Sequence, residues 1–250
     1  MIVKKNLLDF ICFIDHKVQH NISTSEFWCE RILNWEPFND PSYLETFLGD
    51  DLKKEIIFNT PNLNEEDVDE DFLNTYLIPA INEVDSNWYS NNPYLKNIKI
   101  KDVRFKKYIL GHIDYEPYEL FPLDDVKYDE KTFIELHQIG YFKQKVSYPY
   151  IGTKDSIWMS VNPNEIKTMQ PHIDRVNGNV LVLGLGLGYF AYMSSLKEDV
   201  KSITIIELDQ DIIDLFNKEI LPQFKHKEKI RIIKDDALKY LGKSSSDGFD

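Results

Sequence analysis

The chain has 250 residues, of which 42% are hydrophobic and 28% charged, the profile of a folded globular protein with enough apolar material for a sizeable core. No apolar run is long enough to span a membrane, and Asp9 and Asp15 interrupt the only short apolar stretch near the start, so a signal peptide is not expected. Of the net charge of −13, all but −2 falls before Asn179, so the front of the chain would repel a phosphate backbone and nucleic acid is not an expected partner.

Cys12 and Cys29 are the only cysteines, too few for a disulfide framework, and point to a reducing, cytoplasmic setting. Up to about Asp85 the pattern reads as helical. "STSE", Ser23 to Glu26, has the form of a capping box opening a helix that carries Phe27, Trp28, Ile32 and Leu33. A second helical stretch is expected from about Tyr43 to Ile57. A third follows the acidic run "NEEDVDED" (Asn64 to Asp71), with Val68, Phe72, Tyr76 and Ala80 on one face. The acids suit the positive end of that helix, and a docking site for a cationic substrate is the alternative. Cys12, His16 and His20 recur every four residues, but no fourth ligand is evident, so no metal site is expected.

From about Ile98 the pattern becomes mixed, and Thr132 to Val161 reads as short strands separated by Gly140 and the "GTKD" turn. Asn162 then caps a helix with Pro163 at its first position and Glu165 completing the box. Pro171 should end or kink it. Next come a continuous apolar strand, Val180 to Leu183, a helix over Tyr189 to Leu196, and a β-branched strand, Ser202 to Glu207. A helix with Asp209 as N-cap and a third strand, Ile230 to Lys234, complete a βαβαβ unit.

"VLVLGLGLGYFA" places Gly184, Gly186 and Gly188 at the strand-to-helix turn. Glycine takes positive φ there, and lacking Cβ it admits a ligand close to the backbone, before a helix start with free N–H groups. Glu207 follows Gly184 by 23 residues, the place from which a carboxylate accepts both hydroxyls of a ribose. Turn and acid together describe a nucleoside site. "GLGYFA" also satisfies the dinucleotide pattern G-x-G-x-x-A, which leaves a nicotinamide-dependent oxidoreductase open. "KDDALKYL" after the third strand puts an acid followed by alanine where an adenine amino group is read in other nucleoside-binding folds.

On "VLVLGLGLGYF", "ITIIELDQDIIDLF" and "IRIIKDDALKYL" the chain resembles the class I S-adenosylmethionine-dependent methyltransferases, and within them the spermidine synthase-like branch, from about Asn179 onward. The resemblance implies an α/β fold, a Rossmann-like doubly wound sheet with its first βαβαβ half present, preceded by an α-rich region and a small β segment. It implies S-adenosyl-L-methionine as cofactor, with Gly184, Gly186 and Gly188 passing its methionyl part, Glu207 on the ribose, and Asp236 with Ala237 at the adenine. "IWMSVNPNEI" takes the place of the branch's substrate-side region. The acid many methyltransferases carry two residues before the first glycine is Val182 here, and the aspartate of spermidine synthases between the second and third glycines is Leu187.

The expected division is an acidic, mainly helical region (1–130), a small β segment (131–162) and the cofactor domain (163–250). Phe249 and Asp250 would open a fourth strand, so the chain is expected to be a portion of a longer protein whose catalytic residues, unassigned here, lie beyond Asp250. The function expected is methyl transfer to a small-molecule acceptor, a cationic one included. Aminopropyl transfer to a polyamine is the alternative enzyme, and a non-catalytic S-adenosylmethionine-binding or assembly module the alternative of another class.

Overall fold

The structure, a computed structural model, describes residues 2–59, 66, 68–128, 134–243 and 248–249. In chain order the helices and strands are α1 (Ile2–Leu33), α2 (Gly49–Phe58), α3 (Glu70–Phe72), β1 (Ile81–Glu83), α4 (Ser86–Ser90), α5 (Pro93–Asn97), β2 (Val103–Phe105), β3 (Tyr108–Tyr115), β4 (Phe121–Tyr128), β5 (Glu135–Tyr141), β6 (Val146–Gly152) and β7 (Ile157–Ser160). They continue with α6 (Pro163–Arg175), β8 (Gly178–Leu183), α7 (Tyr189–Ser195), β9 (Val200–Glu207), α8 (Gln210–Glu219), β10 (Ile230–Lys234) and α9 (Ala237–Lys243). The protein is mixed α/β with several sheets.

Contacts divide it into two units, one of residues 1–86 and 115–146, the other of residues 87–114 and 147–250. In the first unit β1 pairs in parallel with β5, and β4 pairs antiparallel on its other side. Its core joins Trp28 of α1 and Leu52, Ile56 and Ile57 of α2 to Ile81, Tyr118, Ile139 and Tyr141. The strands β2, β3 and β4 fall in the part of the region 1–130 that the sequence reads only as mixed, from about Ile98. Tyr108 and Leu110 of β3 alternate as buried positions, but Gly111 and His112 break the alternation that would mark a strand.

Two helical expectations are corrected and a third is narrowed. Helix α1 runs through "STSE" without interruption: Ser23 and Thr24 donate their hydroxyls to the carbonyls of Gln19 and His20, each at 3.0 Å, instead of capping a new helix. The Val68–Ala80 stretch is not one helix. Asp69 caps α3 by accepting from Phe72 N at 2.9 Å, and a π turn (Leu73–Leu77) and a 3-10 turn (Ile78–Ala80) follow. Pro79, which lacks an N–H, accounts for the loss of regular helix there. Conversely, α6 does not end at Pro171 but continues to Arg175. Of the acidic run, Asn64, Glu65 and Asp67 lie outside the described residues.

The second unit holds a four-stranded sheet of order β2-β3-β6-β7 and a three-stranded parallel sheet of order β10-β9-β8. In the parallel sheet Leu183 pairs with Ile206, and Lys234 with Glu207, which sets the three strand ends level. Helices α7 and α8 connect successive strands, and Asp209 caps α8 as expected, accepting from Asp211 N at 2.8 Å. Asn162 caps α6 by accepting from Glu165 N at 2.9 Å. No described helix is long and apolar enough to cross a membrane.

Candidate functional site

The chain leaves β8 through a turn in which Gly184, Gly186 and Gly188 all have positive φ, at 90°, 51° and 72°. L side chains rarely adopt such values, and the spacing of the three glycines answers that need. At Gly188 a side chain is also excluded by packing, because an added Cβ would lie 2.4 Å from Phe216 Cε2. At Gly184 nothing lies within 4 Å of an added Cβ, so the backbone there borders open space.

Glu207 closes the turn from the side. Its Oε2 accepts from Leu185 N at 3.0 Å and its Oε1 from Asp209 N at 2.9 Å. Each carboxylate oxygen has a second lone pair, so both remain able to accept from a ligand. Below the turn, the buried hydroxyl of Tyr94 donates to Leu187 O at 2.6 Å, and burial pushes that phenol's pKa far above its ordinary value.

The glycine turn and Glu207 border a cavity of about 810 Å³, large enough for a nucleoside-sized ligand. Gly184, Gly186, Gly188 and Glu207 line it, together with Val182 and Leu187. Asp236 and Ala237 do not. Asp236 instead caps α9, accepting from Lys239 N at 3.0 Å, while the neighbouring Asp235 N donates to Glu207 O at 3.2 Å. The structure therefore gathers four of the six expected cofactor residues in one cavity, and leaves the other two at the same end of the parallel sheet.

In the sequence Glu165 is most simply explained by its capping box, with a substrate role as the alternative. Its main-chain N–H does serve the cap, but its side chain lines the cavity along α6 with Met169 and His172. Burial raises the Glu165 carboxyl pKa, and no hydrogen bond or ion pair joins that carboxylate to another described residue. The spacing of 165, 169 and 172 along a helix was the available signal. Trp158 and Met159 of β7 form another wall, with the Met159 side chain packed over Gly186.

The Cys12–His16–His20 row lies on α1. The side chains of Cys12 and His16 are outside the described residues, and the His20 ring packs on Tyr76 with centroids 4.1 Å apart. Among the described residues no group of His, Cys, Asp and Glu could hold a metal ion. Comparison with known proteins finds no family model that matches this chain, and no curated protein that matches it.

Proposed function

We propose that the cavity beside Gly184–Gly188 binds S-adenosyl-L-methionine and that the protein is a methyltransferase of the class I kind, with β8, β9 and β10 as the first half of a Rossmann-like doubly wound sheet. The observation that carries the reading is the contact between Glu207 and the turn: a carboxylate held by Leu185 N at 3.0 Å, at the rim of a cavity whose floor is glycine backbone. The open space over Gly184 fits such a ligand, since any side chain there would occupy the ligand's approach. Glu207 would take the ribose hydroxyls and the glycines the methionyl part. Asp236 and Ala237, one turn of chain beyond β10, would reach the adenine.

S-adenosyl-L-methionine supplies an activated sulfonium, so the chain's own contribution is to orient the reactants and exclude water. Glu207 holds the nucleoside end and the glycine turn the methionyl end, and Trp158 and Met159 wall the cavity with apolar surface. Glu165, with its raised pKa and free carboxylate, is placed to hold the acceptor and receive the proton that a nitrogen or oxygen nucleophile gives up. The cavity lining carries two carboxylates, Glu165 and Glu207, against one guanidinium, Arg175, a balance that favours a small, cationic acceptor.

Isothermal titration with S-adenosyl-L-methionine, its decarboxylated form and NAD tests the reading. Preferential binding of S-adenosyl-L-methionine, weakened in Glu207→Ala, is the expected result. Preference for the decarboxylated form would move the assignment to aminopropyl transfer, and binding without turnover on any amine or hydroxyl acceptor to a non-catalytic module. No binding by the folded protein would overturn it.

A further inference from the structure

The loop that follows β9 is held from both sides, and only one side belongs to the glycine turn. Asp209 N donates to Glu207 Oε1 at 2.9 Å, so the position of Asp209 sets the position of one carboxylate oxygen of Glu207. As a helix cap Asp209 needs only Oδ1, which accepts from Asp211 N. Its Oδ2 is taken by the β2–β3 hairpin: the Tyr108 hydroxyl donates to it at 2.5 Å and the Lys107 ammonium lies 3.3 Å away. Asparagine or serine would cap α8 equally well, whereas these two partners call for a carboxylate.

The hairpin is shaped for this contact. Phe105 pairs with Tyr108, which leaves a two-residue turn of Lys106 and Lys107, and Lys106 has φ of 54°, a conformation that L side chains rarely adopt. The turn delivers Lys106 to Asp211 at 2.5 Å and Lys107 to Asp209, one lysine to each acid at the start of α8. Exposed ion pairs of this kind contribute little. The Tyr108 bond is different, because the ring is fully buried and meets Trp158 edge-on at 5.0 Å. One side chain thus supports both Glu207, through Asp209, and the Trp158 wall of the cavity.

We propose that Tyr108 is a positioning residue for the ribose-binding carboxylate Glu207, acting through Asp209, and that the β2–β3 hairpin is the element that keeps the nucleoside site in its binding geometry. This rests on the nucleoside reading given above. The carboxyl of Asp209 is held below its ordinary pKa, chiefly by the hydroxyl of Tyr108, which agrees with a bond made to the ionised form.

Tyr108→Phe keeps the ring and removes the hydroxyl. Titration of the full chain with adenosine and with 2′,3′-dideoxyadenosine, which lacks the ribose hydroxyls, separates positioning from packing. Tyr108→Phe is expected to weaken adenosine by about 3- to 10-fold and to leave dideoxyadenosine unchanged. The double variant Tyr108→Phe with Glu207→Gln should lose no more than Glu207→Gln alone. An equal loss for both nucleosides, or full additivity in the double variant, would show that Tyr108 only packs and would overturn the proposal while leaving the nucleoside site standing. Failure of the folded wild type to bind either compound would overturn the nucleoside reading and this proposal with it. Should Tyr108→Phe not fold, Asp209→Asn, which retains a cap, carries the same comparison with the same expected outcomes.

Discussion

Leu185 and Glu207 are joined by a hydrogen bond of 3.0 Å from the main-chain N–H of one to Oε2 of the other, so the acid at the end of β9 also shapes the glycine turn after β8. On the proposed reading, ligand recognition and backbone geometry would share one side chain.

Glu207→Ala should therefore cost both affinity and stability. Charge-assisted bonds to a ribose are worth about 1.5–3 kcal/mol, or roughly 10- to 100-fold in Kd. Leaving the part-buried amides of Leu185 and Asp209 short of an acceptor should cost a further 1–3 kcal/mol or so in urea unfolding. Glu207→Gln, which keeps one acceptor oxygen, should fall between the variant and the wild type on both scales.

The glycines should rank by what surrounds them. Gly188→Ala combines positive φ with an approach of 2.4 Å to Phe216, while Gly184→Ala meets the backbone penalty alone. The penalty is about 1–2 kcal/mol and overpacking adds about 1–3 kcal/mol. Denaturant midpoints should place Gly188→Ala below Gly184→Ala, and equal midpoints would show that Phe216 yields freely.

Glu165→Gln should stabilise the protein at neutral pH. Burial raises the carboxyl pKa, so the folded state favours the protonated form: that contribution is fully present below the ordinary glutamate value and is lost as pH rises through the higher, folded-state value. The variant should melt above the wild type at pH 7, and the gap should close as pH falls below the ordinary glutamate range. If Glu165 also takes the acceptor's proton, the same variant should lose turnover while keeping its affinity for S-adenosyl-L-methionine.

Asp209 has the opposite sign. Its pKa is lowered, first by the Tyr108 hydroxyl, so its stabilising contribution is present above the ordinary aspartate value and fades as pH falls through the lower, folded-state value. Asp209→Asn should be less stable than the wild type at pH 7 and approach it in acid, as thermal melts across that range would show.

What could be read in advance was local. The glycine spacing and the acid at the end of β9 are consequences of a strand, a turn and a parallel neighbour, each visible within about 30 residues of sequence. Asn162 and Asp209 were legible as caps because a cap bonds two or three residues away. Ser23 and Thr24 show the limit of the same signal: their hydroxyls can serve a carbonyl four residues back as readily as an amide ahead, and continuation of α1 decides which. The Tyr108–Asp209 bond spans 101 residues, and nothing near either residue announces the other. Glu165 was half legible, since its cap role was plain while the exposure of its other end depends on the cavity wall.

The two units are threaded through one another in sequence, the chain passing from the first to the second after residue 86, back after 114 and forward again after 146. No single cut yields either unit whole. On a ribosome the first unit acquires its last strand, β5, before β8 has been made, so Ile81 can find Ile139 while the glycine turn and Glu207 do not yet exist. The segment 87–114, which carries Tyr108, must meanwhile wait as a loop between two parts of a completed neighbour. Synthesis order thus makes Tyr108 of the hairpin an early arrival and its partner Asp209 a late one.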